Sequence, residues 1–406
     1  MEWSKNLIYA VAMFFVTVFI SFYSGNFSSL HADTKANLFP TPTKGMCYEA
    51  FGPNYNPSTA NISCIYFGSD IARKQTGALW GTKPYLANST DSICRNDLKT
   101  MSDMGANLIR LYDWDPRNDH SQFLNACQNL KIKVVVPISN WLPSQNKTIW
   151  DQQIPNYFNS RNFGNSTGTG WHPAIAGVVI TNEPILNSLN YDNVIKFVAN
   201  FIQTSREKKF HKNVLVGIPV SFAKGGKPYF NGIDMPCWNL FNKLLKAPSI
   251  TPYKSQIMLC ANTYNSKSYL YSNAESTGKG WVPLTYQQFK APILFTEIGL
   301  NRKDPNYTQT FIQEQLNGTI EYQKNNPGEL LGPCVFQFSD KVWKEGTTEG
   351  SFGAFSHGTM KDSVVINTGQ SDYSYWPGPP CQRHGSLAID PLTKKSIYNQ
   401  IIRAYK

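Results

Sequence analysis

Two acidic residues stand where a carboxyl group is costly to bury. Glu183 lies near the end of the run Gly177-Val-Val-Ile-Thr-Asn-Glu-Pro184, and Glu297 lies in Ile293-Leu-Phe-Thr-Glu-Ile-Gly299. Each closely follows apolar residues that read as a buried strand, so its carboxylate needs a partner or a hydrogen bond. Two carboxyls facing each other could do paired work: one protonates a leaving oxygen while the other attacks an anomeric carbon. Two helix caps or two surface ion pairs would use the same residue type, and spacing alone leaves that reading open.

Other chemistry finds less support. Gly164-Asn-Ser-Thr-Gly168 matches the G-x-S-x-G of a serine nucleophile, but it lies in a polar stretch and lacks the required strand before it and helix after it. The six histidines, at 31, 120, 172, 211, 357 and 384, form no H-x-H or H-E-x-x-H set. No metal site and no cofactor are expected.

The elements that must position the acids can be read from hydropathy. Short apolar runs recur at Gly45–Tyr48, Asn107–Tyr112, Ile132–Ile138, Ala176–Ile180, Val214–Ile218, Ile257–Ala261, Ile293–Thr296 and Cys334–Phe338. Most are nearly continuous in Val, Ile and Leu, as in strands buried on both faces of a parallel sheet. Amphipathic stretches lie between them, at 94–104, 120–130, 193–205 and 307–323. Alternating strands and helices make βα units. Eight of them predict an α/β fold, a single-domain (β/α)8 barrel whose strand ends would turn both acids into one mouth. Residues 51–92 and 339–386 exceed what a barrel needs and are expected as long loops over that face. A doubly wound open sheet is the alternative, but no G-x-G-x-x-G follows the first strand.

With the barrel in view, a resemblance becomes specific. Asn182-Glu183-Pro184 and Thr296-Glu297-Ile298-Gly299 resemble the two acid motifs of clan A retaining glycoside hydrolases. Arg110-Leu-Tyr-Asp113, Asp115-Pro-Arg-Asn-Asp-His120 and Phe338-Ser-Asp-Lys-Val-Trp-Lys344 narrow this to β-1,3-glucan enzymes, similar to families 17 and 72. The similarity covers most of residues 45–355. It implies Glu183 as general acid/base and Glu297 as nucleophile, with Asn182 on the sugar 2-hydroxyl. It implies Arg110 holding Glu297 ionised and Tyr264 hydrogen-bonded to it, with Tyr48, Tyr112 and Trp343 lining the sugar site. It also implies a disulfide between Cys94 and Cys127. The substrate it points to is β-1,3-glucan, with hydrolysis and transglycosylation both open. Clan A action on mannan or cellulose, and a non-catalytic sugar-binding barrel, are the competing readings.

Composition sets the outer bounds. The chain has 406 residues, 38 Lys and Arg against 27 Asp and Glu, and a net charge of +11. Only 16% of residues are charged while 14% are aromatic, which excludes intrinsic disorder. The basic residues are dispersed, whereas a nucleic-acid binder clusters them, so no nucleic-acid partner is expected. A monomer is expected. Leu7–Tyr23 is an apolar run behind Lys5, too short for an ordinary membrane span, and suits the core of a secretory signal. Residues 1–32 are therefore read as a signal peptide or uncleaved membrane anchor, 33–44 as a linker and 45–406 as the barrel. Seven Asn-x-Ser/Thr sequons, at 26, 61, 88, 146, 165, 306 and 317, agree with a secreted, extracellular glycoprotein. Eight cysteines in an oxidising compartment suggest disulfides, with connectivity open among 105 full pairings.

Overall fold

The computed structural model describes residues 38–53, 71, 74–81, 95–210, 214–344, 347, 350–359, 361, 363–367, 372–374, 380–382 and 386–406. The expected signal or anchor, most of the first long loop, the sequons at 26, 61 and 88, and Cys64 and Cys94 lie outside the described residues.

Eight parallel strands form the centre: β1 Gly45–Cys47, β2 Leu108–Arg110, β3 Lys133–Ile138, β4 Ile175–Ile180, β5, β6 Leu259–Thr263, β7 Ile293–Ile298 and β8 Leu330–Val335. Strand β5 runs in two segments on either side of Ile218. Leu215–Gly217 pairs with β4, and Pro219–Ser221 pairs with β6. The two segments thus join the ends of the sheet, and β1 pairs with both β2 and β8, so the barrel closes. A helix follows each strand: α1 Asp97–Asp103, α2 Ser121–Asn129, α3 Lys147–Gln153, α4 Tyr191–Glu207, α5 Trp238–Lys246, α6 Trp281–Phe289, α7 Phe311–Asn325 and α8 Ser396–Tyr405.

Two cores result from the period of two along each strand. Cys47, Leu108, Val135, Leu215, Cys260 and Leu294 point inward and fill the barrel. Met46, Ile109, Val134, Val136 and Phe295 point outward against the helices. Helix α4 shows why these helices form. Asn190 caps it by accepting from Asp192 N and Asn193 N, and Val194, Phe197, Val198, Phe201 and Ile202 fall on one buried stripe. Burial of each such side chain is worth about 1.5–3 kcal/mol.

Several expectations are corrected. Strand β8 begins at Leu330 and ends at Val335, earlier than the expected Cys334–Phe338. In the barrel Pro333 pairs opposite Phe295, and Gly332 lies so close to Thr43 that an added Cβ would come within 2.4 Å of it. The segment read as a linker is part of the core at its end, since Phe39 is buried inside the barrel beside Gly177. The disulfide framework is also reduced. Among the described residues Cys47, Cys127, Cys237, Cys260 and Cys334 are free, buried thiols, and the other member of the expected Cys94–Cys127 pair lies outside the described residues.

Candidate active site

Strand β4 ends in a sharp turn that delivers Asn182 and Glu183. Thr181 and Glu183 both take left-handed backbone angles, φ 65° and φ 47°. For a β-branched threonine that is a genuine outlier, held only where surrounding bonds over-determine it. Those bonds are present. Thr181 N donates to Ile138 O, Asn182 N donates to Asn140 Oδ1 at 2.7 Å, and Glu183 N donates to Pro219 O at 2.9 Å. From the far side, Asn187 Nδ2 donates to the carbonyls of Asn182 and Glu183.

Glu297 comes from within β7, and a local irregularity aims it. Leu294 faces the barrel interior and Phe295 the helices. Simple alternation would send Glu297 outward as well. The pairing to β6 shifts register between Phe295 and Glu297, which re-aims the side chain as bulges do. Glu297 is 4% exposed and lies among donors. Arg110 Nη1 approaches Oε1 at 3.1 Å, Tyr112 OH donates to Oε1 at 2.8 Å, and Tyr264 OH donates to Oε2 at 2.6 Å. Arg110 also stacks 3.5 Å above the Tyr112 ring and donates through Nη2 to Asn182 Oδ1 at 2.8 Å. Leu108, Arg110 and Tyr112 are inward positions of one strand and its extension; Cys260, Asn262 and Tyr264 are those of another.

Burial, then the nearby charge of Glu297, raises the pKa of Glu183. Burial also pushes the phenols of Tyr112 and Tyr264 well above their ordinary range, and for Tyr264 the Glu297 charge adds to it. Both tyrosines therefore stay protonated and act as donors.

Glu183, Glu297, Asn182, Tyr112 and Tyr264 line one cavity of about 630 Å³, a size suited to an organic ligand. Arg110 lies beneath it. One sequence-selected aromatic, Tyr48, is elsewhere. Tyr48 is 1% exposed, donates to Asp97 Oδ2 at 3.0 Å and packs edge-on against Phe338. Cys47 faces inward, so Tyr48 must face the helices and Glu49 takes the cavity side. Trp343 packs edge-on against Phe51, while its neighbours Lys341 and Lys344 line the cavity.

The sequence reading passed over several residues that the fold brings in. Asn262 donates to Asn182 Oδ1 at 3.2 Å and accepts from Thr296 Oγ1 at 2.7 Å. Asn140 anchors the β4 turn, and Glu49 pairs with Lys341 at 3.2 Å. Asparagine is so common in this chain that neither Asn140 nor Asn262 stood out. Glu49 was visible by parity with Cys47. Among the described residues no cluster of His, Cys, Asp or Glu could hold a metal ion.

Comparison with known proteins gives consistent matches. The model of glycoside hydrolase family 72, described as glucanosyltransferase, matches residues 81–321, more than half of the chain. A "1,3-beta-glucanosyltransferase" of Arthroderma benhamiae is 24% identical over 251 residues, 59% of this chain and 42% of the relative. "Probable 1,3-beta-glucanosyltransferase GAS3" of Saccharomyces cerevisiae is 20% identical over 264 residues, 63% of this chain and 48% of the relative. The chain thus spans less than half the length of these two relatives. Among solved structures, Saccharomyces cerevisiae Gas2p in complex with laminaripentaose aligns with a TM-score of 0.45 at 13% identity, covering 89% of this chain and 64% of that one. A β-1,3-glucanase of Cryptomeria japonica pollen aligns with a TM-score of 0.48 at 13% identity, covering 64% of this chain and 89% of that one.

Proposed function

Because the chain belongs to glycoside hydrolase family 72, the glucanosyltransferases, we propose that it cleaves β-1,3-glucan with retention and passes the released end to a second glucan. The observation that carries this reading is the contrast between two carboxyls lining one cavity. Burial and the Glu297 charge raise the Glu183 pKa, which favours its protonated form; Glu297 is ringed by a guanidinium and two phenol donors. That division of roles is what a retaining mechanism needs.

In the first half, the Glu183 proton goes to the glycosidic oxygen as that bond to the anomeric carbon breaks. A Glu297 oxygen bonds to the same carbon, giving a glycosyl-enzyme. In the second half, an acceptor hydroxyl gives its proton to Glu183, its oxygen bonds to the anomeric carbon, and the bond to Glu297 breaks. Two inversions leave the β configuration unchanged. Arg110, Tyr112 and Tyr264 orient Glu297 for attack. Asn182, fixed by Arg110 and Asn262, serves the sugar 2-hydroxyl, a contact that strengthens in the transition state. A location outside the cell agrees with the apolar Leu7–Tyr23 run and with exposed sequon asparagines Asn146, Asn306 and Asn317.

The test has two arms. Glu297→Gln is expected to lose about 10³-fold or more of activity on laminarin, as loss of a nucleophile does; retention of most activity would overturn the assignment. On a single laminari-oligosaccharide, products longer than the substrate mean transfer and exclusively shorter ones mean hydrolysis. A panel with mannan and cellulose tests the linkage.

A further inference from the structure

Ile185 and Leu186 are the oddity of this surface. They follow the candidate acid/base after one intervening residue, Pro184, and they are 50% and 67% exposed. Most large apolar side chains among the described residues are buried, and exposure of a single one needs no explanation. Here two adjacent ones project from a turn that is tightly built. Asn187 N donates to Glu183 O, Ser188 N to Ile185 O and Leu189 N to Pro184 O, and the Asn187 side chain clamps the carbonyls of Asn182 and Glu183. A turn fixed in this way holds its apolar side chains outward. Leu186 and Asn187 line the same cavity as Glu183 and Glu297, so the apolar patch is continuous with the site.

We infer that Ile185 and Leu186 form an acceptor-side lip that selects a glucan over water in the second half of the reaction, an inference that rests on the function proposed above. Glu183 must reach the oxygen that leaves in the first half and the hydroxyl that enters in the second. The group beyond that oxygen therefore lies on the Glu183 side of the broken bond, where this turn is. Aliphatic side chains match the C–H face of a pyranose and offer no hydrogen bond to water. Water and an acceptor sugar compete for one chemical event: the proton passes to Glu183, the new C–O bond forms and the ester to Glu297 breaks. A lip that binds sugar and does not order water tips that competition toward transfer.

The experiment uses the full chain with Ile185→Asn and Leu186→Asn, singly and together, acting on a laminari-oligosaccharide. Both positions are exposed, so folding is preserved, and the thermal midpoint checks this. The double variant is expected to lower the ratio of longer to shorter products by about tenfold, the scale of a lost apolar contact; total cleavage can fall with it, because the leaving chain passes over the same turn in the first half, so the ratio is the readout. An unchanged ratio overturns the inference and leaves the proposed function standing. A parallel fall in cleavage and transfer that leaves the ratio unchanged also overturns it, because the lip would then not discriminate sugar from water. If the unmodified chain cleaves no β-1,3-glucan, the functional reading falls and the inference with it.

Discussion

Glu183 and Glu297 are one side chain in two settings, and the setting of Glu183 ties stability to pH. Burial and the Glu297 charge raise the Glu183 pKa in the folded chain. The protonated form is thus favoured by folding. Its stability contribution is fully present below the ordinary glutamate pKa and is lost as pH rises through the raised value. Glu183→Gln removes that loss. The variant should match the parent in urea midpoint below about pH 4 and exceed it at neutral pH. Equal midpoints at both would mean that the fold places no strain on the ionised Glu183. At this scale both acids were legible, because a carboxyl at the end of an apolar run stands out. Tyr48 misled for a reason the sequence also contained: with Cys47 inward, period two sends Tyr48 outward and Glu49 inward.

Backbone detail decides more at the level of elements. The break in β5 lets one strand satisfy two neighbours, and it depends on close packing at Gly217. A Cβ there would lie 2.3 Å from Cys260 Sγ and 2.8 Å from Met258 O. Gly217→Ala should therefore destabilise the barrel by about 1–3 kcal/mol, as overpacking does, measured by urea unfolding. A smaller change would show that the Cys260 and Met258 side chains can move aside. The apolar runs located all eight strands because strands buried on both faces need continuous apolar sequence. They could not locate the register shift in β7, which depends on how that strand pairs with β6. Helices α3, α5, α6 and α8 were not anticipated.

Across the whole molecule, the first and last parts of the described chain are tied together. Arg95 Nε and Nη2 bind Asp97 at 2.8 and 2.7 Å, and Nη1 binds Asp390 at 2.8 Å. Asp390 also contacts His357 Nδ1 and accepts from Gly358 N. Burial works to raise the Asp390 pKa, but the His357 hydrogen bond and charge, with Arg95, bring it below the ordinary range. Tyr405 in α8 donates to Gly45 O in β1 at 2.8 Å. Arg95→Met would leave two buried carboxylates short of their cation and should lower stability by about 3–5 kcal/mol, read from denaturant unfolding. A loss within 1 kcal/mol would show the pairing to be dispensable. Such a link joins residues almost three hundred positions apart, and no local pattern announces it. Hydrophobic period and residue type are local properties, so the sequence by itself determined the alternating βα architecture and the two acids. Facing side chains depend on barrel closure and register. Only the tertiary structure could decide that Arg110, Tyr112 and Tyr264 converge on Glu297, that Asn262 joins Asn182, and that Tyr48 turns away from the cavity.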